Sequence, residues 1–212
     1  MKLSSVLQET PLPSDWDKDT FVTKNSSFAK RVKYAKERAK TLGSGSSRIA
    51  FEIEYQGRPT VIKIAKNAKG FAQNEFEAQM LEDWYLKRLD ITIPMIDYDE
   101  VNNKPSWIHV EKAEKMTVGK FRKFFDGYGF RDVLNMVEYG TGKSRTLFGP
   151  TEDEFQEMIE ENEYLVSLID LVGNYDIPPN DFGVKANWGI YKNEPVIIDI
   201  GFSTEVMKLH YS

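Results

Sequence analysis

Apolar and polar residues alternate in two neighbouring segments of the first half of the chain. In the segment that follows, apolar residues recur at helical spacing. The alternation over residues 42–55 and 60–64, joined by a glycine-containing turn at 56–59, predicts two antiparallel strands. Between residues 71 and 89 the apolar positions recur every four residues, which predicts a helix with a stripe formed by Phe76, Met80 and Trp84.

Two further strands follow this helix in the pattern. Apolar runs at 93–98 and 107–110 are joined by a turn at 102–105, which contains Asn and Pro. The first half of the chain is therefore predicted to run strand, strand, helix, strand, strand.

The second half of the chain is predicted to be mainly helical. A first helix is expected near residues 118–125, followed by a glycine-rich stretch to Pro150 without a clear period. Thr151 and Glu154 have the spacing of a capping box, so we expect a helix of about six turns from there to Gly173. Two short strands, at 189–191 and 196–198, complete the pattern.

The N-terminal end shows a different pattern. Residues 1–24 contain turn-forming Pro and Ser residues, and we interpret them as an arm. Apolar positions then recur at helical spacing from Phe28 to Leu42, among the basic residues Lys30, Arg31, Lys33, Lys36, Arg38 and Lys40. We interpret this basic face as solvated, with an anionic partner as the alternative. No aromatic residues interleave with the charges, so nucleic acid is not an expected partner.

The composition narrows the possible chemistry. The chain has 212 residues, 41% of them apolar, and a net charge of -5, which predicts one folded domain, or one split into two lobes. It has no cysteine and two histidines, His109 and His210, which excludes disulfides, a thiol nucleophile and the common cysteine or histidine metal sites. Neither a signal sequence nor an apolar run of the ~20 residues that span a membrane is found. We expect the cytoplasm of a cell or of an infected host, and no membrane partner.

Of two glycine-containing motifs in the chain, one suggests phosphate binding. Gly43 and Gly45 precede a predicted strand, whereas the glycines of a dinucleotide-binding loop follow one. This order fits a flap between two antiparallel strands, whose backbone amides can cover phosphates, although a plain hairpin has the same pattern. The second motif, at residues 140–144, is not a P-loop, because Val137 stands where a further glycine is required.

Four polar residues fall at positions that suggest a charged site. Lys63 lies at the centre of the second predicted strand, and Glu77 on the next helix can supply the counter-charge that a buried lysine needs. The alternative is a lysine whose ammonium group reaches solvent. Asp199 follows the last apolar strand, and Asn187 precedes it by twelve residues. A carboxylate and an amide supply the hard oxygen ligands that magnesium prefers.

In this order, the motifs resemble those of the protein-kinase-like superfamily and, more narrowly, small kinase-like proteins encoded by bacteriophages. The match covers residues 42–201. The resemblance implies an α+β, bilobal protein-kinase-like fold with a small antiparallel-sheet N-lobe, one helix within it, and a minimal, mostly helical C-lobe that lacks the late helices. It divides the chain into an N-terminal extension with the basic helix (1–41), an N-lobe (42–113) and a truncated C-lobe (114–212), with an insertion at about 114–150.

The resemblance also implies roles for individual residues, with ATP and Mg²⁺ as cofactors. Gly43 and Gly45 would cover the phosphates, and Lys63, paired with Glu77 or alternatively Glu75, would hold them. Ala50 and Val61 would lie over the adenine, and Glu111 and Ala113 would offer it backbone hydrogen bonds. Asn187 and Asp199 would bind magnesium, Asp181 would orient the accepting hydroxyl, and Lys185 would neutralise the phosphoryl group in transfer.

Three departures from the family pattern bear on activity. Arg48 stands where the third glycine of the loop is expected. Asp181 precedes Asn187 by six residues where the family has five, so either the catalytic loop carries one extra residue or the catalytic carboxylate has been lost. Eleven residues follow Gly201, too few for the helices with which larger protein kinases bind peptides.

Two functions from different classes are therefore expected. The first is a minimal ATP- and Mg²⁺-dependent phosphotransferase, encoded by a phage, that modifies Ser or Thr residues of host proteins. The second is a catalytically inactive pseudokinase that binds a host or viral protein, as an interaction module or as a structural component associated with the virion.

Overall fold

The computed structural model describes residues 12–17, 21, 26–99, 105–175, 177–201, 203 and 206. Most of the predicted N-terminal arm, the predicted turn at 102–104 and His210 lie outside these residues. The described chain forms a five-stranded antiparallel sheet with helices against it, followed by a mainly helical part that contains a three-stranded sheet. The predicted α+β fold class, with an antiparallel sheet in the first half and a mostly helical second half, is confirmed.

The five-stranded sheet and its helices account for the first half of the chain. The elements are α1 (Phe28–Arg38), β1 (Lys40–Ser44), β2 (Arg48–Tyr55), β3 (Arg58–Ala65), α2 (Ala68–Glu82), α3 (Trp84–Leu89), β4 (Met95–Tyr98) and β5 (Trp107–Glu111). The strands lie in the order β1-β2-β3-β5-β4, and every neighbouring pair is antiparallel. Gln56 and Gly57 connect β2 to β3 with φ angles of 52° and 73°, the left-handed conformation that two-residue hairpin turns require.

The second half contains four longer helices and the three-stranded sheet β6-β7-β8. Its elements are β6 (Glu114–Lys115), α4 (Val118–Phe124), α5 (Phe130–Gly140), α6 (Glu152–Glu161), α7 (Glu163–Asn174), two 3-10 helices (Pro179–Gly183 and Lys185–Asn187), β7 (Trp188–Tyr191) and β8 (Glu194–Ile197). The two halves are joined at β8, where the N–H of Ile197 donates to the carbonyl of Ile91 at 2.8 Å. No helix among the described residues is long and apolar enough to cross a membrane.

Helix α1 packs on the outer face of the five-stranded sheet. Its buried Ala35 belongs to a cluster with Phe51, Ile62 and Trp107, side chains from three of the strands. Five of the six basic residues are exposed, as expected of a solvated basic face: Lys30, Lys33, Lys36, Arg38 and Lys40. The assignment of Arg31 to that face is wrong, because its side chain is buried and its Nε donates to the carbonyl of Phe21 at 3.1 Å. The helix ends at Arg38, and the chain enters β1 at Lys40, before the predicted lobe boundary at residue 42.

Two helices predicted as continuous are each broken by a polar residue. Asp83 ends α2 and begins α3, because its Oδ1 accepts from the N–H groups of Tyr85 and Leu86 at 2.8 and 3.1 Å. Asn162 separates α6 from α7 in the same way, since its Oδ1 accepts from the N–H of Leu165 at 3.0 Å. The single helices predicted for residues 71–89 and 151–173 are therefore wrong.

Helix α5 lies in the stretch for which the sequence predicted no regular structure. Asp132 stabilises its first turn by accepting from the N–H of Gly129 at 2.9 Å. The buried side chains of Val133, Met136 and Val137 join the larger core with Phe121 of α4. Both helices thus contribute to the core that supports the last strands.

Candidate functional site

Lys63 and Glu77 form a buried ion pair between strand β3 and helix α2. The Nζ of Lys63 lies 2.5 Å from Oε1 of Glu77, whose side chain is fully buried. Lys63 is directly opposite Ala50 on β2 and Ile108 on β5, so it occupies the middle of the sheet. Lys63 forms the ion pair with Glu77, the preferred of the two glutamates named above. The alternative, Glu75, is half-buried.

The same lysine reaches the segment that carries Asp199. Its Nζ donates to the carbonyl of Ile198 at 2.5 Å, which links the sheet to the chain just beyond β8. Asp199 is held by a second contact within its own segment, because its Oδ1 accepts from the N–H of Gly201 at 3.2 Å. The predicted phosphate-binding pair and the predicted magnesium ligand are therefore neighbours.

Arg48, the first residue of β2, completes this charged cluster. Its Nη1 forms ion-pair contacts with Oε2 of Glu77 and a hydrogen bond at 3.2 Å with Oδ1 of Asn74. Its Nη2 forms an ion pair with Oδ1 of Asp199. The arginine identified above only as a departure at the third glycine position thus lies inside the site and bridges two carboxylates.

The charges in the cluster shift one another's proton affinities. Burial lowers the pKa of Arg48, but Asp199 and Glu77 outweigh burial, so the pKa is raised above its ordinary value. Partial burial opposes ionisation of Asp199, yet the positive charges of Arg48 and Lys63 and the N–H of Gly201 lower the pKa of its carboxyl. Both groups are therefore ionised throughout the physiological range of pH.

The loop before β7 carries the predicted catalytic residues. Asp181 lies in the first 3-10 helix and Asn187 ends the second, and the Nδ2 of Asn187 donates to the carbonyl of Asp181 at 3.0 Å. Burial first, and then the negative charge of Asp199, raise the pKa of Asp181 to about 6. The six-residue spacing is thus accommodated by two short turns, with the carboxyl of Asp181 within electrostatic reach of Asp199. Lys185 is exposed on the same loop.

The glycine-containing hairpin is short and is attached to helix α2. Ser46 and Ser47 form its tip, since the N–H of Gly45 donates to the carbonyl of Arg48 at 2.9 Å. A Cβ atom on Gly70 of α2 would lie 2.3 Å from the carbonyl oxygen of Ser47, so only glycine permits this approach. Gly43 and Gly45 are exposed.

The predicted adenine-binding residues lie on the sheet and just beyond it. Ala50 and Val61 are half-buried on neighbouring strands, and Ala113 packs closely against Gly189, where a Cβ would lie 2.5 Å from that of Ala113. The backbone N–H of Glu111 already donates to the carbonyl of Pro94 at 2.9 Å. The expectation that Glu111 offers a backbone bond to the base therefore does not hold for its N–H.

Asn187 and Asp199 offer an amide oxygen and a carboxylate, which are oxygen donors of the kind that magnesium uses. Among the described residues no group of three or more His, Cys, Asp or Glu side chains could hold a metal ion. Magnesium, however, uses one or two protein oxygens and completes its shell with water and substrate phosphates. The side chain of Asp199 is 40% exposed, so it is accessible to such an ion.

Three features of the site were missed from the sequence. Arg48 and Asn74 are side-chain partners of the cluster, and Gly201 leaves the space for the guanidinium group, since a Cβ there would lie 2.5 Å from Nη2 of Arg48. The one available signal was that Arg48, a charged residue, stands at the start of an apolar strand. A buried charge needs counter-charges.

Comparison with known proteins gives limited similarity. No protein-family model and no curated protein matches the chain. Similar solved structures include the aminoglycoside phosphotransferase APH(4)-Ia: an apo form of a thermostable mutant is 17% identical, with 49% of this chain and 33% of that chain covered and a TM-score of 0.28. A ternary complex with AMP-PNP and hygromycin B is 15% identical, covers 77% of this chain and 66% of that chain, and has a TM-score of 0.34. A ternary complex with ADP and hygromycin B is 12% identical, with coverages of 80% and 70% and a TM-score of 0.33.

In the apo comparison and in two further comparisons with the same phosphotransferase, the chain spans 32% to 38% of the length of that protein. A similarity of this size carries no conclusion about substrate or activity. The function is therefore inferred from the residues of the site.

Proposed function

We propose that this chain is a minimal ATP- and Mg²⁺-dependent phosphotransferase. The observation that supports it is the position of Lys63, whose Nζ bonds both Glu77 on helix α2 and the carbonyl of Ile198, next to Asp199. A lysine fixed by a helix carboxylate beside a metal-binding aspartate is the arrangement with which kinases hold nucleotide phosphates.

Each polar residue of the site then has a defined task. Lys63 binds the phosphates, Asn187 and Asp199 hold Mg²⁺, and the metal ion neutralises charge on the phosphates when bound. Asp181 accepts the proton of the attacking hydroxyl as the bond from the γ-phosphorus to the ADP oxygen breaks and the bond to the acceptor oxygen forms. Lys185 neutralises the phosphoryl group. A pKa of about 6 leaves Asp181 ionised and basic near neutral pH.

The proposal extends to the acceptor and to the biological setting. We place the acceptor hydroxyl on Ser or Thr residues of proteins, and we propose a phage-encoded protein that acts on host proteins in the host cytoplasm. These details are supported by the resemblance of the motifs to small phage kinase-like proteins.

A second candidate function is a pseudokinase that binds a protein partner, free or within a virion. The observation that favours it is the ion pair of Arg48 with Asp199, which places a cation against the candidate metal ligand. In that case the buried cluster would stabilise the fold, and the exposed basic face of α1 would offer a contact surface.

Thermal unfolding with and without millimolar Mg-ATP separates the two candidates. A ligand at ~100 times its dissociation constant adds about 2.7 kcal/mol, which raises the midpoint of a domain of this size by roughly 5–10 °C. We expect this rise in the wild type, its loss when EDTA replaces Mg²⁺, and its loss in Asp199→Asn. Asp90→Asn, at the exposed end of α3, is the matched control and should keep the rise.

The absence of a rise in the wild type would reject the phosphotransferase proposal. If the rise is observed, transfer of labelled γ-phosphate to a host protein extract tests the reaction itself. Asp181→Asn should retain the nucleotide-dependent rise and lose transfer, because it removes the proton acceptor but none of the phosphate ligands. Lys185→Met should lower transfer in the same assay.

A further inference from the structure

The guanidinium group of Arg48 connects three separate parts of the site. Arg48 is 7% exposed although it carries a charge. It lies on β2, contacts Asn74 and Glu77 on α2, and reaches Asp199 beyond β8, 151 residues away in sequence. Neither the phosphate-binding role of Lys63 nor the metal-binding role of Asp199 explains why an arginine should be buried here.

Among the described residues, the hydrogen bonds and ion pair of Asp199 fall on one of its two carboxylate oxygens. Oδ1 accepts from both Nη2 of Arg48 and the N–H of Gly201. The side chain is nevertheless 40% exposed. A carboxylate anchored through one oxygen while it remains accessible is oriented in the manner that outer-shell partners orient metal ligands.

We propose that Arg48 is a positioning residue, which fixes the carboxylate of Asp199 for metal and nucleotide binding by attaching it to Glu77. The inference rests on the proposed function and deepens it. In kinases that have the third glycine, that glycine lets the loop close over the phosphates. Here Arg48 would take its place and connect the sheet to the Asp199 segment by ion pairs.

The energetics favour an Arg48–Asp199 ion pair that persists when metal binds over one that the metal displaces. To release Asp199, the guanidinium group would have to leave its site or give up contacts with Glu77 and Asn74 that are buried from water. Removing one partner from a buried ion pair is strongly unfavourable. An arginine can hold two carboxylates at once because its planar fork presents donors in two directions.

Gly201 supplies an independent way to disturb the bridge. A Cβ atom at this position would lie 2.5 Å from Nη2, 2.9 Å from Cζ and 3.0 Å from Nη1 of Arg48. Gly201→Ala would therefore push the guanidinium group aside without removing any charge. Gly201→Ala should weaken Mg²⁺-dependent nucleotide binding as Arg48→Met does, so it tests the bridge even if Arg48→Met is too unstable to study.

The first test compares binding of a fluorescent ATP analogue in Mg²⁺ and in EDTA. Loss of outer-shell partners typically costs about 10- to 100-fold in metal affinity. We expect both Arg48→Met and Gly201→Ala to weaken Mg²⁺-dependent binding by at least about tenfold, and Arg48→Lys to restore part of it. Arg38→Met, an exposed arginine of α1, is the control and should bind as the wild type does. Tighter Mg²⁺-dependent binding in Arg48→Met would overturn the proposal, since it would identify Arg48 as a competitor of the metal.

The second test measures positioning without any nucleotide. Hydrogen exchange of the peptide that contains the Gly201 amide, which donates to Asp199, should become faster in Arg48→Met and Gly201→Ala and stay unchanged in Arg38→Met. Unchanged exchange in both site variants would refute the positioning role. If the two site variants exchange faster but the wild-type protein binds no nucleotide, the positioning role is retained and the proposed function is rejected.

Discussion

The indole Nε1 of Trp188 donates a hydrogen bond of 2.8 Å to the carbonyl of Phe182. Trp188 is the first residue of β7, and Phe182 follows Asp181 directly, so this bond ties the loop that carries Asp181 to the strand that follows it. Both side chains are buried and belong to the larger core. The loop is therefore anchored just after Asp181 by this packing and by the indole hydrogen bond.

Replacing this tryptophan should loosen the loop as well as the core. Trp188→Phe keeps most of the apolar surface but leaves the carbonyl of Phe182 without its donor, which costs about 1–3 kcal/mol. We expect a loss of about 2 kcal/mol in the free energy of unfolding, measured by denaturant titration. Trp84→Phe is the control, because Trp84 is 65% exposed and should change stability by less than about 0.5 kcal/mol. Equal losses in both variants would contradict the structural role assigned to the indole bond.

The two glutamates of α2 offer a second comparison. Glu77 is fully buried between Lys63 and Arg48, whereas Glu75 is half-buried. Glu77→Gln removes the charge that neutralises two buried cations, and breaking such a pair costs about 3–5 kcal/mol. We expect a loss of that size in the free energy of unfolding, and a change within about 0.5 kcal/mol for Glu75→Gln.

Nucleotide binding should separate the same two variants. Glu77 holds the ammonium group of Lys63 in place, so if Lys63 binds phosphates as proposed, Glu77→Gln should lose nucleotide binding under conditions where it remains folded. If Glu75→Gln lost binding and Glu77→Gln kept it, the assignment of the ion pair would be wrong.

Sequence reasoning could predict the Lys63–Glu77 pair because both residues belong to adjacent elements with clear periods. The strand places Lys63 among buried neighbours, and the helix spacing places Glu77 four residues before Leu81. A buried cation then needs a nearby anion. The ion pair of Arg48 with Asp199 has no such local signal, because it joins residues 151 positions apart and depends on how β8 is placed against the sheet.

The helix boundaries were less predictable for a similar reason. The apolar period continues through Asp83 and Asn162, so the pattern alone favours one long helix at each place. Each break is supported by a contact with a distant part of the chain: the hydroxyl of Tyr175 donates to Asp83 at 2.6 Å, and Nδ2 of Asn162 donates to the backbone carbonyl of Phe124 at 2.8 Å. These contacts hold the polar residue in its capping position and let the following helix change direction.

The pKa of Asp181 predicts a specific dependence of stability on pH. Burial and the charge of Asp199 raise the pKa to about 6 from 3.8, so the folded protein retains a proton that the unfolded chain has lost. The stabilisation by the protonated carboxyl is complete below the unfolded value and is lost as the pH rises to about 6. Asp181→Asn cannot ionise. It should match the wild type near pH 4 and exceed its stability by about 1–2 kcal/mol near pH 8.

Unfolding by denaturant at the two pH values checks this prediction, with Asp90→Asn as the control for removal of an exposed aspartate. A constant difference between Asp181→Asn and the wild type across this range would show that Asp181 is not desolvated. If Asp181→Asn were less stable than the wild type at pH 8, an unrecognised cation would lie beside the carboxylate of Asp181.

The attachment of the glycine-containing hairpin to α2 gives a last prediction. Gly70 approaches the carbonyl oxygen of Ser47 so closely that a Cβ would lie 2.3 Å from it and 3.0 Å from the Cα of Ala65. Both of these are backbone atoms, which cannot turn aside as the end of a side chain can. Gly70→Ala should therefore cost about 2–3 kcal/mol and displace the hairpin from the helix.

Gly119 in α4 is the matched control, because a Cβ there would meet nothing within 4 Å. Gly119→Ala should leave stability unchanged or raise it by up to about 1 kcal/mol, since alanine favours the helix. The displaced hairpin in Gly70→Ala carries Arg48 with it, so this variant should also weaken Mg²⁺-dependent nucleotide binding. A variant that lost stability and kept full nucleotide affinity would show that the hairpin is free to move independently of the site, and the link between Gly70 and Arg48 would have to be abandoned.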